Sequence, residues 1–531
     1  MPACIFFKEN TMNKKITALF LILLFNLIFA QFAGGTGTIE DPYQIGTPEQ
    51  LNQVRYYLTS SFIQIADINL GVAPWNEGEG WDPIGDYDWS NPNLSFRGNY
   101  NGNGFKILNM YLNRTDESYL GLFGSTEGCL LKNLNVINFA ITGGSAIGGL
   151  VAISYNDNVE NCRAEGSIEG GSELGILMYF FEGYTIKNCH SKGEIRAQRG
   201  WIGGLISMCN ADSVLDCSAE TKLTIESNVA GGLFAQSIDT KIIRNCYSVS
   251  DIITKGELVG GFIGIYGIFL EEFSLIEKSF SKGSISSTSD QVGGFISATG
   301  VFEGCNSEFI NLYANMDIIG NDIVAGFISN IKSNTDVENC YFAGQVTGNS
   351  NVSGFIGSID SLNTVTVNNC YWDTETSGID SSAAGEGRTT AEMTLPYSGN
   401  TYVGWDFSTV WRDDVINQNN GYPTFQWVSG IEENDDDDFV AGEKGFELYQ
   451  NYPNPFNPVT EIKYALAIAG NVNIKVFNTN GSEVADLVNS TQRAGVYSVS
   501  FDASKYSNGI FYYTLVVDNK IVATKKMILI K

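Results

Sequence analysis

The residues best able to do chemistry in this chain are cysteines held at one position of a recurring phrase. Val159-Glu-Asn-Cys162 returns as Ile186-Lys-Asn-Cys189, Val214-Leu-Asp-Cys217, Ile243-Arg-Asn-Cys246, Val337-Glu-Asn-Cys340 and Val367-Asn-Asn-Cys370. A thiolate is a nucleophile and a soft-metal ligand, but both roles need partners that converge on the sulfur. One thiol per repeat is a packing signature, not a CxxC ligand pattern. The single histidine, His190, sits beside Cys189. Sequence neighbours on a strand point to opposite faces, so His190 is expected to be an exposed ring rather than the base of a Cys–His pair. One histidine also rules out an HExxH site and a His-based zinc cluster.

Carboxylates are the other route to catalysis. Asp82, Asp86 and Asp88 stand near Trp81 and Trp89, and Asp373 and Glu375 follow Trp372. Acids beside aromatic rings can cleave or hold sugars. Here no concentrated set of acids with basic partners recurs on successive repeats, and loop solvation and end-capping is the plainer reading. The sequence nominates no catalytic, cofactor-binding or metal-binding residue. The run Glu432-Glu-Asn-Asp-Asp-Asp-Asp438 offers calcium as the sharper alternative, yet it lacks the ligand-spacing glycine and reads as a solvated linker.

The 531-residue chain carries 31 Lys+Arg against 59 Asp+Glu, a net charge of -28. No basic face is available to neutralise phosphates, which argues against nucleic acid as a partner. Met12-Asn-Lys-Lys15 and the apolar run Ile16 to Ala30 read as a secretory signal peptide cleaved before Gln31. No other stretch reaches membrane-span length without charges or glycines, so the mature chain is expected to have no transmembrane span. Of ten cysteines, Cys4 leaves with the leader, and Ser279 and Leu312 replace cysteine in two copies of the phrase. Those swaps favour a row of buried, unbridged thiols that pack as small apolar residues. Disulfides between coils about 4.8 Å apart are the alternative.

The repeat must position all of these groups. Its short period marks a stacked, quasi-one-dimensional architecture. Val159 and Cys162 differ by three positions and cannot share a face of one flat strand. Asn161 resolves this by turning the chain in a left-handed conformation. Beyond the turn Cys162, Ala164, Gly166 and Ile168 share a parity, as do Cys189, Ser191, Gly193 and Ile195, which makes an interior face. The glycine pairs that follow, such as Gly203-Gly204, Gly231-Gly232, Gly260-Gly261 and Gly293-Gly294, mark places where a side chain would strike a neighbouring coil or turn. Leu174-Gly175 and Ala325-Gly326 depart from the pair, which predicts distorted coils there.

The expected fold is all-β: a right-handed parallel β-helix (solenoid) of about nine coils, followed by a small C-terminal immunoglobulin-like β-sandwich. Residues 1–30 are the signal peptide, 31–105 an N-terminal capping region with a short helix near Thr47, and 106–375 the repeats. Residues 376–428 are a C-terminal cap whose aromatics could cover the open end, 429–445 the acidic linker, and 446–531 a separate domain. Its strand candidates are Glu461–Leu466, Val472–Phe477, Val496–Phe501, Ile510–Val517 and Ile521–Leu529.

Two resemblances rest on these residues. Gly260-Gly-Phe-Ile-Gly264 and Ser353-Gly-Phe-Ile-Gly357 resemble the GLUG motif of bacterial exported proteins, within a likeness that covers residues 36–428. Leu448-Tyr-Gln-Asn-Tyr-Pro-Asn-Pro-Phe-Asn-Pro458, Tyr506-Ser-Asn-Gly-Ile-Phe-Tyr-Tyr and the ending Lys525-Lys526-Met527 resemble the type A sorting domain of the type IX secretion system. That resemblance implies a Gram-negative exporter, with the secretion machinery and a sortase as partners of residues 446–531. It also implies a mature chain that is secreted or attached at the outer-membrane surface.

An extended repeat surface without an acid–base constellation points to adhesion, or to binding of glycans or other surface polymers, without catalysis or a cofactor. The alternative is a carbohydrate-active enzyme, a polysaccharide lyase or glycoside hydrolase on a β-helix, that uses loop carboxylates.

Overall fold

Left-handed asparagines set the rungs. Asn161, Asn188, Asn245, Asn339 and Asn369 have φ of 53°, 51°, 54°, 55° and 51°, and Asp216, Lys278 and Asn311 hold the same place in other rungs. Asn tolerates this region because its short polar side chain bonds locally. Here it also bonds along the stack: Asn161 Nδ2 donates to Asn133 Oδ1 at 3.0 Å and Asn245 Nδ2 to Asp216 Oδ1 at 3.0 Å. With the chain turned there, Val159 and Cys162 are both buried, as the parity argument requires.

The computed structural model describes residues 32–448, apart from 89, 227, 268–272, 301–305, 416 and 429–445. It also describes 451 and 456–530, apart from 467–469, 480–481, 493–494 and 518–519. The leader, the acidic run, Trp89 and Cys305 lie outside the described residues. Strands hold 58% of residues and helices 5%, so the chain is all-β, with a β-solenoid of about 9 turns. The chain divides into two units, residues 1–406 with 414–422, and residues 407–413 with 423–531.

In the first unit, strands after the cysteine pair in parallel, residue for residue. Arg163–Gly170, His190–Ala197, Ser218–Ile225 and Tyr247–Thr254 align Ala164, Ser191, Ala219 and Ser248 in one row and Ile168, Ile195, Leu223 and Ile252 in another. Parallel pairing already begins at Tyr43–Ile45 against Phe62–Gln64, on either side of the helix Pro48–Gln53 that Thr47 caps.

The two glycines of the pair have separate tasks. A Cβ on Gly203, Gly231 or Gly260 would overlap the carbonyl oxygen of Ile206, Phe234 or Ile263, three residues ahead in a sharp bend. A Cβ on Gly204, Gly232 or Gly261 would instead overlap the carbonyl oxygen of Gly232, Gly261 or Gly294 in the next rung. Serines of the opposite strands bond these second glycines, Ser191 Oγ to Gly204 O at 2.9 Å and Ser281 Oγ to Gly294 O at 2.7 Å. The distortion expected at Leu174-Gly175 and Ala325-Gly326 does not occur: Gly175 pairs with Gly203 and Ala325 with Gly293 in unbroken register. Each copy keeps one of the two glycines, and the replacing side chain, Ile176 or Ala325, is fully buried in the stack.

At the last rungs Tyr371–Asp373 pairs with Glu386–Arg388. Beyond it, Tyr402, Trp405 and Tyr422 lie 6.1, 6.2 and 6.0 Å from Tyr341, ring centre to ring centre. Tyr341 alternates with inward Cys340 and so points outward. It is nevertheless fully buried, because these rings cover it and Asn419 Nδ2 bonds its hydroxyl at 2.6 Å.

The second unit contains three antiparallel sheets, the smallest being Trp411–Arg412 with Thr424–Phe425. Phe446–Leu448, Val459–Leu466 and Gly495–Asp502 form the second, and Glu483–Gln492, Gly470–Asn478, Gly509–Val517 and Lys520–Leu529 the third. Ile462, Tyr464, Val472, Ile474, Phe501, Tyr513, Leu515 and Met527 make its core, which fits an immunoglobulin-like tail. Five of these strands follow the expected candidates. Glu483–Gln492 was not among them: it is a half-exposed edge strand whose register shifts twice, so no clean alternation marks it.

Candidate functional site

The residues singled out for chemistry are mostly engaged in structure. Cys189 is buried and His190 points outward, so the two do not converge. His190 is half-buried rather than exposed, because Arg163 and Ser218 flank it on the adjoining rungs. Its Nδ1 lies 2.8 Å from Ser218 Oγ and its Nε2 3.0 Å from Asn188 Oδ1. This chain of serine, imidazole and amide has the outline of an activated nucleophile. Burial first, and then the Arg163 charge, pull the imidazole down to about 4, which makes it a weak base at neutral pH. Ser218 is itself buried.

The acids behave similarly. Asp82 is ion-paired to Arg55 and lies 3.7 Å from Arg114. Asp88 accepts from the amide and hydroxyl of Ser90, which hold its carboxyl below the usual range. Trp81, beside them in sequence, is buried with its indole N–H on the Leu122 carbonyl. Asp373 is buried and caps a helical turn, accepting from Glu375 N at 2.9 Å, Thr376 N at 3.0 Å and the Tyr422 hydroxyl at 2.6 Å. Glu375 accepts from Thr390 N at 2.9 Å.

Cysteines 129, 162, 189, 209, 217, 246, 340 and 370 are free and buried. Those of the row bond backbone, for example Cys189 Sγ to the Lys187 carbonyl at 3.3 Å. Among the described residues no group of three or more His, Cys, Asp or Glu is placed to hold a metal ion.

A different set of residues forms a cluster of half-buried aromatic rings on the solenoid. Tyr87 lies 4.8 Å from Tyr119 and 6.2 Å from Tyr155, ring centre to ring centre. Tyr155 is 5.4 Å from Phe180, which is 6.0 Å from Tyr179. All five rings are half-buried. They are splayed, with planes at 46°, 20°, 50° and 48° to one another. The solenoid's buried ladders differ: Phe262, Phe295, Phe327 and Phe355 stack at 8°, 11° and 3°. Splayed rings leave aromatic face and edge open to a ligand, whereas a parallel ladder spends its faces on itself.

Acids rim this aromatic face. Glu127, Tyr155 and Glu182 occupy matching positions on three successive rungs. Burial, and secondarily the charge of Glu173, raise the ionisation of Tyr179 to about 12, so its phenol stays a neutral donor. The Tyr87 and Tyr155 hydroxyls lie 3.5 Å apart, and Glu127 Oε2 is buried and unpartnered. Tyr119 adopts φ of 63°, uncommon for a bulky side chain, at a bulge shared with Ala146 and Glu173 at 57° each. Sequence reasoning missed this face because its rings come from different places in their rungs and meet only through stacking.

Residues 450–531 match the family model described as the secretion system C-terminal sorting domain, and residues 143–169 match the GLUG motif. The chain therefore carries a C-terminal sorting domain and is a secreted or cell-surface protein. Among the described residues no helix is long and apolar enough to cross a membrane. The chain is also similar to a protein named as a Gly-rich membrane protein from Evansella cellulosilytica, 43% identical over 136 residues, which is 24% of this chain and 15% of that protein. Similarity to Halomucin of Haloquadratum walsbyi is 30% over 141 residues, 25% of this chain and 2% of that protein. The chain thus spans a small part of the length of both relatives.

Proposed function

We propose that this protein is a non-catalytic binding protein of the cell surface that holds glycans or similar surface polymers on the face formed by Tyr87, Tyr119, Tyr155, Tyr179 and Phe180. The observation that carries the reading is the half-buried set of rings from Tyr87, Tyr119, Tyr155, Tyr179 and Phe180 gathered on one face. Apolar ring faces take the C–H faces of sugars, and a few fixed polar groups orient the hydroxyls. Asp82 is held by Arg55 and Asp373 caps a helical turn and accepts from Tyr422, which supports retention over cleavage.

Residues 446–531 serve export in this reading. They engage the type IX machinery after a signal peptide has directed the chain out of the cytoplasm, and a sortase removes them. The test is retention of the full-length chain on insoluble polysaccharides, with soluble reducing ends measured in parallel. Retention without release of oligosaccharide supports the reading. Release of oligosaccharide contradicts it and favours the carbohydrate-active enzyme.

A further inference from the structure

Carboxylates gather at the aromatic face without cations to balance them. Glu127 and Glu182 flank Tyr155 on the rungs before and after it. Burial first, then Tyr87 and Glu173, raise the ionisation of Tyr119, and burial, then Glu173, raise that of Tyr179. Glu173 therefore stands beside both phenols. Ser172 Oγ donates to its Oε2 at 2.8 Å, which steadies the carboxylate and leaves Oε1 for another donor. Among the described residues none of Glu127, Glu173 and Glu182 forms an ion pair. Elsewhere Glu117, Glu165 and Glu277 are matched by Arg114, Arg163 and Arg244.

The rings call for the same kind of ligand. An aromatic face is electron-rich and attracts a cation within about 6 Å of its centre. The chain itself fills such faces at other places: Arg55 lies 5.5 Å from the centre of Trp81 and Arg388 5.1 Å from that of Tyr371. Among the described residues no lysine or arginine stands over Tyr87, Tyr119, Tyr155, Tyr179 or Phe180. Half-buried rings and unpaired carboxylates thus attract with one sign.

We infer that this face takes the protonated amines of an amino-sugar polymer, with the sugar rings on the aromatic side chains and the ammonium groups at Glu173 and Glu182. The inference rests on the binding reading above and deepens it by naming the ligand class. Charge complementarity selects the occupant. A neutral glycan leaves the carboxylates unanswered, and an anionic one is repelled by them and by the net charge of -28. A lysine-rich peptide brings ammonium groups on flexible stems, which cost more to order than amines fixed to a rigid sugar ring. Glu127 Oε2 is enclosed, so this residue adds charge to the face without touching the ligand.

The test compares a glucosamine oligomer with the same oligomer fully N-acetylated, and with oligolysine of equal charge. Titration calorimetry of the full-length chain at about pH 6 keeps aliphatic amines protonated. Glu173→Gln removes one charge at constant length, and Tyr179→Ser installs the residue type found at Ser207 on the next rung. Circular dichroism and thermal unfolding check that both variants remain folded. The free-amine oligomer is expected to bind roughly tenfold more tightly than the acetylated one. Glu173→Gln removes most of that preference, and Tyr179→Ser weakens both oligomers. Tetramethylammonium chloride competes more strongly than sodium chloride at equal ionic strength.

Equal affinity for the two oligomers, or preference for the acetylated one, overturns the ammonium inference while the glycan reading stands. A preference that survives both substitutions belongs to the overall charge of the chain and overturns the site. Tighter binding of oligolysine overturns the amino sugar as ligand. Binding of neither oligomer also overturns the inference, and retention on insoluble polysaccharides then shows separately whether the glycan reading survives.

Discussion

Asn188 Nδ2 donates to Asn161 Oδ1 on the preceding rung at 2.9 Å. The same left-handed position is filled by Lys278, with φ of 50°, one rung beyond Asn245. Lysine has no local bond to offset that conformation, whose cost is about 1 kcal/mol. Lys278→Asn is expected to stabilise the solenoid by about that amount. A urea midpoint that stays level or falls would show that the ladder does not stabilise the turn.

The second glycine of the pair should tolerate even a methyl group poorly. A Cβ on Gly261 would overlap the Gly294 carbonyl and press on Met316. Gly261→Ala is expected to destabilise by about 1–3 kcal/mol through overpacking. Equilibrium unfolding of the variant measures this, and a change within error would mean that the rungs separate easily.

His190 reports the solenoid's pH response without interference, since the chain has one histidine. Burial, then Arg163, lower its folded pKa to about 4, against 6.5 for an open imidazole. The unfolded chain therefore binds the proton more tightly, and stability from this group is full above pH 6.5. It declines as pH falls from there towards about 4. Proton NMR of the ring should give a midpoint near 4, and a midpoint near 6.5 would refute its half-buried setting.

The thiol row should be chemically silent while the chain is folded. Burial, the leading cause, raises the pKa of Cys162, Cys189, Cys217 and Cys340 well above the ordinary value, and each is fully enclosed. Iodoacetamide is expected to leave these four unmodified in native protein and to label them after denaturation. Mass spectrometry distinguishes this from intact disulfides, which would resist labelling in both states.

What could be read from sequence alone follows from what each position demands of the backbone. Asn161 and Gly204 are needed for a left-handed turn and a close rung contact, so those residue types recur and expose the period. The aromatic face obeys no such rule. Tyr119 sits at a bulge, Tyr155 ends one strand and Tyr179 stands in register with Ser207, so their meeting depends on rung lengths and stacking. His190 illustrates the same limit. Alternation gave its direction, but its half-burial depends on Arg163 and Ser218, neighbours that belong to other rungs.

Hydroxyl-radical footprinting of the full-length chain, with and without a retained polysaccharide, tests the binding account most directly. Tyr87, Tyr155, Tyr179 and Phe180 are expected to become protected on binding, while Tyr56, 68% exposed, stays reactive. Protection confined to other surfaces, or none at a saturating concentration of a polysaccharide that retains the protein, would contradict the assignment of this face.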